Sequence, residues 1–557
     1  MRHVALLLFA ASAFAQDEPL TGRALIDHHI RAKLDEIGVR PAGRCDDAEF
    51  VRRVHLDLVG TIPTTDRAER FFADRSPYKR EKLVDELLAS PAFAEHWGWM
   101  WARGLMGGGG DNRKGNGAVY AVAKHLAGLI GKDAPYDAFA REIITATGTF
   151  EEQAARGGMM EMADRADGLA LFYFRAQQTA GRDFPLSLAN RFSRLFLGIH
   201  ISCAQCHDHP FDKWTQEDAY SMGAFFTEVT VKRTGDKDKK EKQGYELADR
   251  ARAQGRKGQM AGLLLPDGKS TDARKPSGRM IGPMWLGTKE APAGGVPLRQ
   301  EFARMLTAKS NTQFARAAVN RHWAQLFGRG IVNPPDDFSG KNKPSHPDLL
   351  DQLAADFAAN GWSVKRLLRE MIASEAYQRT SRMKSRDLER QFGVSAVRAL
   401  TPEQILNSVL TATSLDPSTV DLRVREQVLQ QFRYAFGDDE GVELVEFQGT
   451  ITAALLMMNG DIMSRATAGG AAKPAKGGRP EKGARPMKAA PGRLGEILKA
   501  HASPEDRLRA IHLTCMSRPP TSKELSRHLA HVQAAGEGGY ADVMWALLNS
   551  SEFLFNH

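Results

Sequence analysis

The chain has 557 residues, 42% of them hydrophobic, and a formal net charge of +9. That is enough apolar material for more than one domain and a sizeable core. Four cysteines are too few to build a disulfide scaffold of this length, which excludes the small secreted cystine-rich classes.

Arg2 and His3 precede an apolar run from Val4 to Ala11, and Ala13-Phe14-Ala15 supplies the small-residue step that signal peptidase reads. Residues 1–15 are therefore expected to be a secretory signal peptide, too short to anchor in a bilayer; a buried first helix is the alternative. Gln16 rather than cysteine follows the expected cut, which argues against a lipid anchor. No later run reaches about 18 apolar residues, so no transmembrane segment is expected in the mature, soluble, secreted or periplasmic chain.

Residues 16–226 read as a helical first half. Leu83, Val84, Leu87 and Leu88 form one helical stripe. The glycine run Gly107 to Gly110, continuing to Gly117, predicts a loop. Residues 227–297 read as a charged, β-rich insert, with Val229-Thr230-Val231 and Gly262-Leu263-Leu264-Leu265 as short strands. Residues 298–557 read as a helical second half interrupted by a basic linker at 466–493. Thr401-Pro402-Glu403-Gln404 and Thr521-Ser522-Lys523-Glu524 have capping-box form, Ser503-Pro504-Glu505-Asp506 is a related start, and Ser345 is expected to cap the helix that holds Leu349, Leu350 and Leu353. The fold class is thus mainly α: two helical halves with a small β-rich insert between them.

One local pattern occurs three times, around Ser90, Ser374 and Ser550. Each serine ends an amphipathic helix and is followed three residues later by an aromatic, Phe93, Tyr377 or Phe553. The physical reading is a serine that caps the next turn and an aromatic that closes on the core; the irregular spacing excludes a solenoid.

Chemistry concentrates in Cys203-Ala204-Gln205-Cys206-His207-Asp208-His209-Pro210. C-x-x-C-H is the c-type haem attachment pattern: two thiols on one helical turn form thioethers to the haem vinyl groups, and the next imidazole ligates iron. With four Cys and 16 His, chance supplies this pattern in roughly one such chain per thousand. A local disulfide, a dithiol redox pair, or zinc on Cys203, Cys206, His207 and His209 stay open as alternatives, although four zinc ligands within seven residues are crowded. For the sixth position on iron the candidates are Met284, Met222, His200 and His209, the last disfavoured by its closeness to His207. Asp208 and Asp212 are candidates for orienting imidazoles.

A second dense stretch runs through Asn320-Arg321-His322-Trp323, Phe327-Gly328-Arg329-Gly330, Asn333-Pro334-Pro335-Asp336-Asp337-Phe338 and Ser345-His346-Pro347. Asp336 and Asp337 offer acid–base or cation-binding groups, but neighbouring carboxylates in an extended segment point opposite ways. Basic tracts make a nucleic-acid partner conceivable; export argues against it and favours an anionic glycan or a cell surface.

The segment from Cys203 to Gln216 resembles the hallmark of planctomycete-type cytochrome-like exported proteins. Arg52-Arg53-Val54-His55-Leu56-Asp57-Leu58-Val59-Gly60-Thr61-Ile62-Pro63-Thr64 resembles their N-terminal block. The stretches from Asn320 to His346 and the ending from Ser517 to His557 resemble their C-terminal partner domain. The resemblance implies a cytochrome-like domain of unknown function 1549 paired with a domain of unknown function 1553, with a hint of work near extracellular polysaccharide. Many relatives carry an additional cytochrome domain with its own C-x-x-C-H; this chain has one such motif, which weakens a multi-haem wire. The leading expectation is an exported protein with one covalent haem c, held by Cys203 and Cys206 with His207 as proximal ligand, passing electrons to an unknown redox partner. Its rivals are a non-haem metal- or disulfide-containing scaffold that binds a glycan or cell-surface partner, and a carbohydrate-active enzyme using Asp336, Asp337 or His346.

Overall fold

The computed structural model describes residues 20–107, 117–151, 167–235, 244–250, 262–267, 277–383, 385–413 and 492–557. The expected signal peptide, the glycine-rich loop apart from Gly107 and Gly117, and all but the last two residues of the expected 466–493 linker lie outside them. Gly492 and Arg493 are described: they are the cap and first residue of a helix, so the linker reading ends short of them.

The chain is mainly helical. Helices α1 (Gly22–Glu36), α2 (Asp47–Val59), α3 (Thr65–Ala73), α4 (Lys79–Ala89), α5 (Pro91–Met106), α6 (Gly117–Gly131) and α7 (Tyr136–Thr145) open it. Strand β1 (Gly148–Glu151) and helices α8 (Gly168–Ala180), α9 (Phe184–Leu197) and α10 (Gln216–Ala224) come next. Strands β2 (Val229–Thr234) and β3 (Gly244–Asp249) make a three-stranded antiparallel sheet in the order β1-β3-β2. Strands β4 (Leu263–Pro266) and β5 (Gly278–Ile281) make a separate hairpin pair. The expected strands of the insert are therefore present, but their sheet recruits β1 from the first half. Gly-Thr-Phe-Glu is too short and too polar to announce itself as a strand.

The second half contributes α11 (Leu298–Leu306), α12 (Thr312–Phe327), α13 (Pro347–Ala359), α14 (Val364–Ala373), α15 (Arg386–Arg390) and α16 (Pro402–Thr413), then α17 (Arg493–Ala500), α18 (Pro504–Met516), α19 (Ser522–Ala535), α20 (Gly538–Leu548) and α21 (Ser551–Leu554). Strands β6 (Arg398–Ala399) and β7 (Phe555–Asn556) join antiparallel. The Leu83, Val84, Leu87 and Leu88 stripe is the buried face of α4.

Apolar burial does not divide where the sequence does. One core runs from Leu25 through the first half and on to Val394, so the two halves share it. A second core joins Leu56 and Ile62 to residues 400–412 and 494–553. Helix α2 lies between them: Phe50, Val51, Val54 and Leu58 face the first core and Leu56 faces the second.

That position buries α2 on every side, including Glu49, Arg52, Arg53, His55 and Asp57. Buried charges persist only when paired and hydrogen-bonded. Arg53 pairs with Glu49 and donates to the carbonyls of Tyr377 (2.7 Å), Arg379 (2.9 Å) and His557 (3.2 Å). Arg52 donates to Cys515 O (3.3 Å), Glu552 O (3.2 Å) and Phe553 O (2.8 Å). Asp57 accepts from Tyr377 Oη (2.7 Å), Arg398 Nη2 (2.8 Å) and Asn556 Nδ2 (2.8 Å).

The three repeated serine patterns have one geometry. Oγ of Ser90, Ser374 and Ser550 donates to the carbonyl three residues back, at 2.6, 2.6 and 2.7 Å, and accepts the amide of Phe93, Tyr377 or Phe553. Each aromatic is buried. Thr521 forms its capping box with Glu524, and Ser503 caps α18. Ser345 does not cap α13: His346 takes that position without a side-chain bond, and Ser345 Oγ instead reaches Ile331 O.

Two consequences can be measured. Replacing Arg53 with Met leaves Glu49 buried without its partner, and should cost about 3–5 kcal/mol in a denaturant titration; a loss below about 1 kcal/mol would contradict the α2 assignment. The second concerns acid. Burial holds the rings of His322, His346 and His512 down to about 4 and that of His55 down to about 3. The native chain thus refuses protons that the unfolded chain accepts below about 6.5. Stability from these rings is complete above that pH and is lost as pH falls toward 4. Thermal midpoints should drop steadily across that window, and a flat profile would refute it.

Candidate functional site

Helix α9 ends at Gly198, whose φ is +64°. A Cβ there would meet Phe338 Cδ2 at 2.5 Å, so the position admits only glycine and the chain turns sharply out of the helix. The carbonyls at this helix end are taken by the second half of the chain. Arg321 of α12 donates to Leu195 O at 2.8 Å and Arg194 O at 3.3 Å, Gln313 donates to Leu197 O at 2.7 Å, and the Phe338 amide donates to Gly198 O at 2.8 Å.

The Cys203–Gln205 segment then forms a single 3-10 turn. Ala204 is its buried anchor, while Cys203, Cys206, His207 and Asp208 are exposed. Both thiols are free. His207 Nδ1 lies 2.7 Å from Asp208 O. A carbonyl only accepts, so Nδ1 donates, and in the neutral ring Nε2 keeps its lone pair. Asp208 Oδ1 accepts the Gln216 amide at 2.8 Å, and Gln216 Nε2 returns to Gln205 O at 3.0 Å. Thr215 and Asp218 close a capping box at the start of α10. The strip is therefore held at both ends by helix termini while its two sulfurs and the imidazole face outward.

The candidate sixth ligands fall in different environments. Met222 is 0% exposed in the first core. His209 Nδ1 accepts the Phe211 amide at 3.2 Å, so that lone pair is spent. His200 Nε2 faces Asp336 Oδ2 at 3.3 Å, an ion pair when the imidazole is protonated. Met284 is 41% exposed, and Gly287, three residues on, abuts the ring of Trp214. Asp212 turns back to bond the Lys213 amide at 2.8 Å and orients no imidazole.

Asp336 and Asp337 do point apart. Asp336 is buried against His200, with Arg194 Nε at 3.9 Å. Burial pushes its carboxyl up, but His200, Arg321 and Arg194 more than offset this and hold it below the usual range. Asp336 in turn raises His200 against the effect of burial. Asp337 accepts the Ser339 amide at 3.0 Å and Asn342 Nδ2 at 2.7 Å, a turn role. His346 packs on Phe392 and contacts Ser345 Oγ. The three residues offered for hydrolysis thus do not meet in one pocket. A cavity of about 570 Å³ between α7 and α11 and one of about 300 Å³ among α1, α4 and α14 are lined by other residues. Among the described residues no three His, Cys, Asp or Glu side chains gather as a metal-ligand set, and no helix is long and apolar enough to cross a membrane.

Sequence reading missed Gln313, Lys341 and Tyr220 at this site. Lys341 Nζ sits 3.3 Å from the ring centroid of Phe211, which is 64% exposed. Burial, with Asp183 close by, raises the pKa of the Tyr220 phenol above its ordinary value. None of these residues carries a local signal; they act across the seam or from the next helix.

No curated protein and no solved structure matches the chain. Residues 25–231 match the model of PSCyt2, a protein family of unknown function (DUF1549), and residues 298–440 match that of PSD1, a protein family of unknown function (DUF1553). The seam around Gly198 is thus the junction of two domains, and the chain belongs with the proteins that pair a PSCyt2 domain with a PSD1 domain.

Proposed function

We propose that this chain is an exported c-type cytochrome-like protein that holds one covalent haem and passes electrons. The observation that carries the reading is the outward-facing Cys203, Cys206 and His207 on a turn fixed at both ends. Two free thiols on one turn suit the two vinyl positions at one porphyrin edge. The His207 Nδ1 contact to Asp208 O supports the reading, because a neutral imidazole donating there presents Nε2 for iron ligation. Haem, when bound, supplies one-electron chemistry.

The residues around the strip then have definite tasks. Asp208 O orients the imidazole. Asp208 Oδ1 and Gln216 fix the spacing between the turn and α10. Buried Trp214, with Lys213 Nζ 4.7 Å from its ring, closes the apolar side of the strip. Met284 is the sixth-ligand candidate that stands clear of the core and of an ion pair. Export is inferred from the signal-like residues 1–15 and agrees with attachment chemistry that takes place outside the cytoplasm.

Two experiments test the reading. Protein produced with haem-attachment machinery should give a pyridine haemochrome spectrum and a mass increment of one haem, both lost in Cys203→Ala/Cys206→Ala; an unmodified mass under those conditions would sink the proposal. Protein produced without that machinery should show Cys203 and Cys206 alkylated in the native state, with Cys45 and Cys515 reacting only after unfolding. Native protection of the first pair would instead favour the disulfide or metal rival.

A further inference from the structure

We infer that Asp336 is a positioning residue for the Cys203–His207 strip, acting through His200 across the seam between the two domains. This rests on the haem reading for its functional meaning, though not for its test.

Between Gly198 and α10 the chain has no regular structure beyond one 3-10 turn, and about half of its side chains are exposed. Ile201, Ala204 and Trp214 anchor it in the core and Gln216 ties it to α10, so contacts from outside its own domain act as additional holds on an irregular segment. Upstream of the turn the outside contacts come from the PSD1 domain. Arg321, Gln313 and the Phe338 amide hold the end of α9. Downstream, Lys341 covers the exposed Phe211 ring. Between those two holds, the side-chain contact from the PSD1 domain is His200–Asp336, three residues ahead of Cys203 and an ion pair when the imidazole is protonated.

The pair is built rather than incidental. The Asp336 side chain is 7% exposed, and Asn320 fixes its loop by donating to Val332 O at 2.8 Å and Pro335 O at 3.0 Å while accepting the Val332 amide at 2.9 Å. Arg194 and Arg321 are the charged groups facing Asp336 from α9 and α12, and Asp337 is the further charge felt at His200. The carboxylate therefore sits in a fixed, cation-rich corner, and His200 is the partner it holds. Capture of His200 fixes where the following thiols and His207 stand relative to the PSD1 surface.

Hydrogen exchange followed by mass spectrometry on the full mature chain tests this without haem. The variants are Asp336→Asn, His200→Gln, their double, and Asp337→Asn as a neighbour that faces away. Asp336→Asn and His200→Gln should each speed exchange across residues 199–209 by about tenfold, the loss expected for one buried charge-assisted contact. The double variant should be no faster than either single, because both remove the same contact. Asp337→Asn should leave 199–209 unchanged, and thermal midpoints should stay within a few degrees. Additive effects would overturn the route through His200. Acceleration spread over the whole chain, or none at 199–209, would overturn the positioning role. A missing haemochrome signal in the parent protein would defeat the haem reading alone and leave the exchange result standing.

Discussion

Two guanidiniums and a carboxylate on one buried helix govern how this chain closes. α2 is packed on all sides between two apolar cores, so Arg52, Arg53 and Asp57 have no water to turn to. An unpaired buried charge costs several kcal/mol, and a guanidinium spreads its donors over a fork that one acceptor cannot satisfy. The acceptors come from residues 377–379, 515 and 552–557, the ends of helices and the last strand. Asp57 completes the set by binding Tyr377, Arg398 and Asn556, which ties the β6–β7 pair to the same helix. Residues some 320 to 500 positions away in sequence thus become the hydrogen-bonding shell of one early helix, and neither core can be assembled without the other end of the chain.

Much of the local architecture is legible in the sequence because it rests on short-range chemistry. The serines at 90, 374 and 550 bond within three residues on either side, so their pattern can be read without knowing the fold. The Thr521 capping box and the C-x-x-C-H turn are equally local. Ser345 is no cap, for a physical reason. Pro347 opens the helix one residue later than the serine implies, and Ile331 O offers Ser345 a better partner. β1 is invisible in the sequence because its strand character comes entirely from pairing with β3, far along the chain.

Which distant groups meet is not written locally. Nothing in the sequence marks Arg52-Arg53 as buried, and their burial comes only from the two cores that enclose them. Asp336 stands in the sequence as a polar residue of a turn-rich stretch, with acid–base work suggested jointly for it and Asp337. The structure separates the two: one is buried in a cation-rich corner and the other closes a turn. Neighbouring residues of an extended loop face opposite ways, so adjacency in sequence argues against the pair, while the partnership with His200 has no sequence signal at all.

The seam gives a physical account of why a PSCyt2 domain and a PSD1 domain occupy one chain. The C-x-x-C-H turn belongs to the first, but the carbonyls at the end of the helix that delivers it are bonded by Arg321, Gln313 and the Phe338 amide of the second. A helix terminus presents carbonyls that must find donors; here the Gly198 and Ile199 amides serve Arg194 O and Ser193 O, and the carbonyls of Leu195, Leu197 and Gly198 are met from the second half. Supplying those donors from a packed helix, α12, stiffens the exit of α9 without covering the strip. On the haem reading proposed above, an exposed edge held in constant geometry would suit electron exchange with a partner that docks and leaves, since a one-electron carrier must keep its cofactor near the surface. On this reading the second domain contributes placement and the first contributes chemistry, and the division between two family models is a division of labour across one shared core.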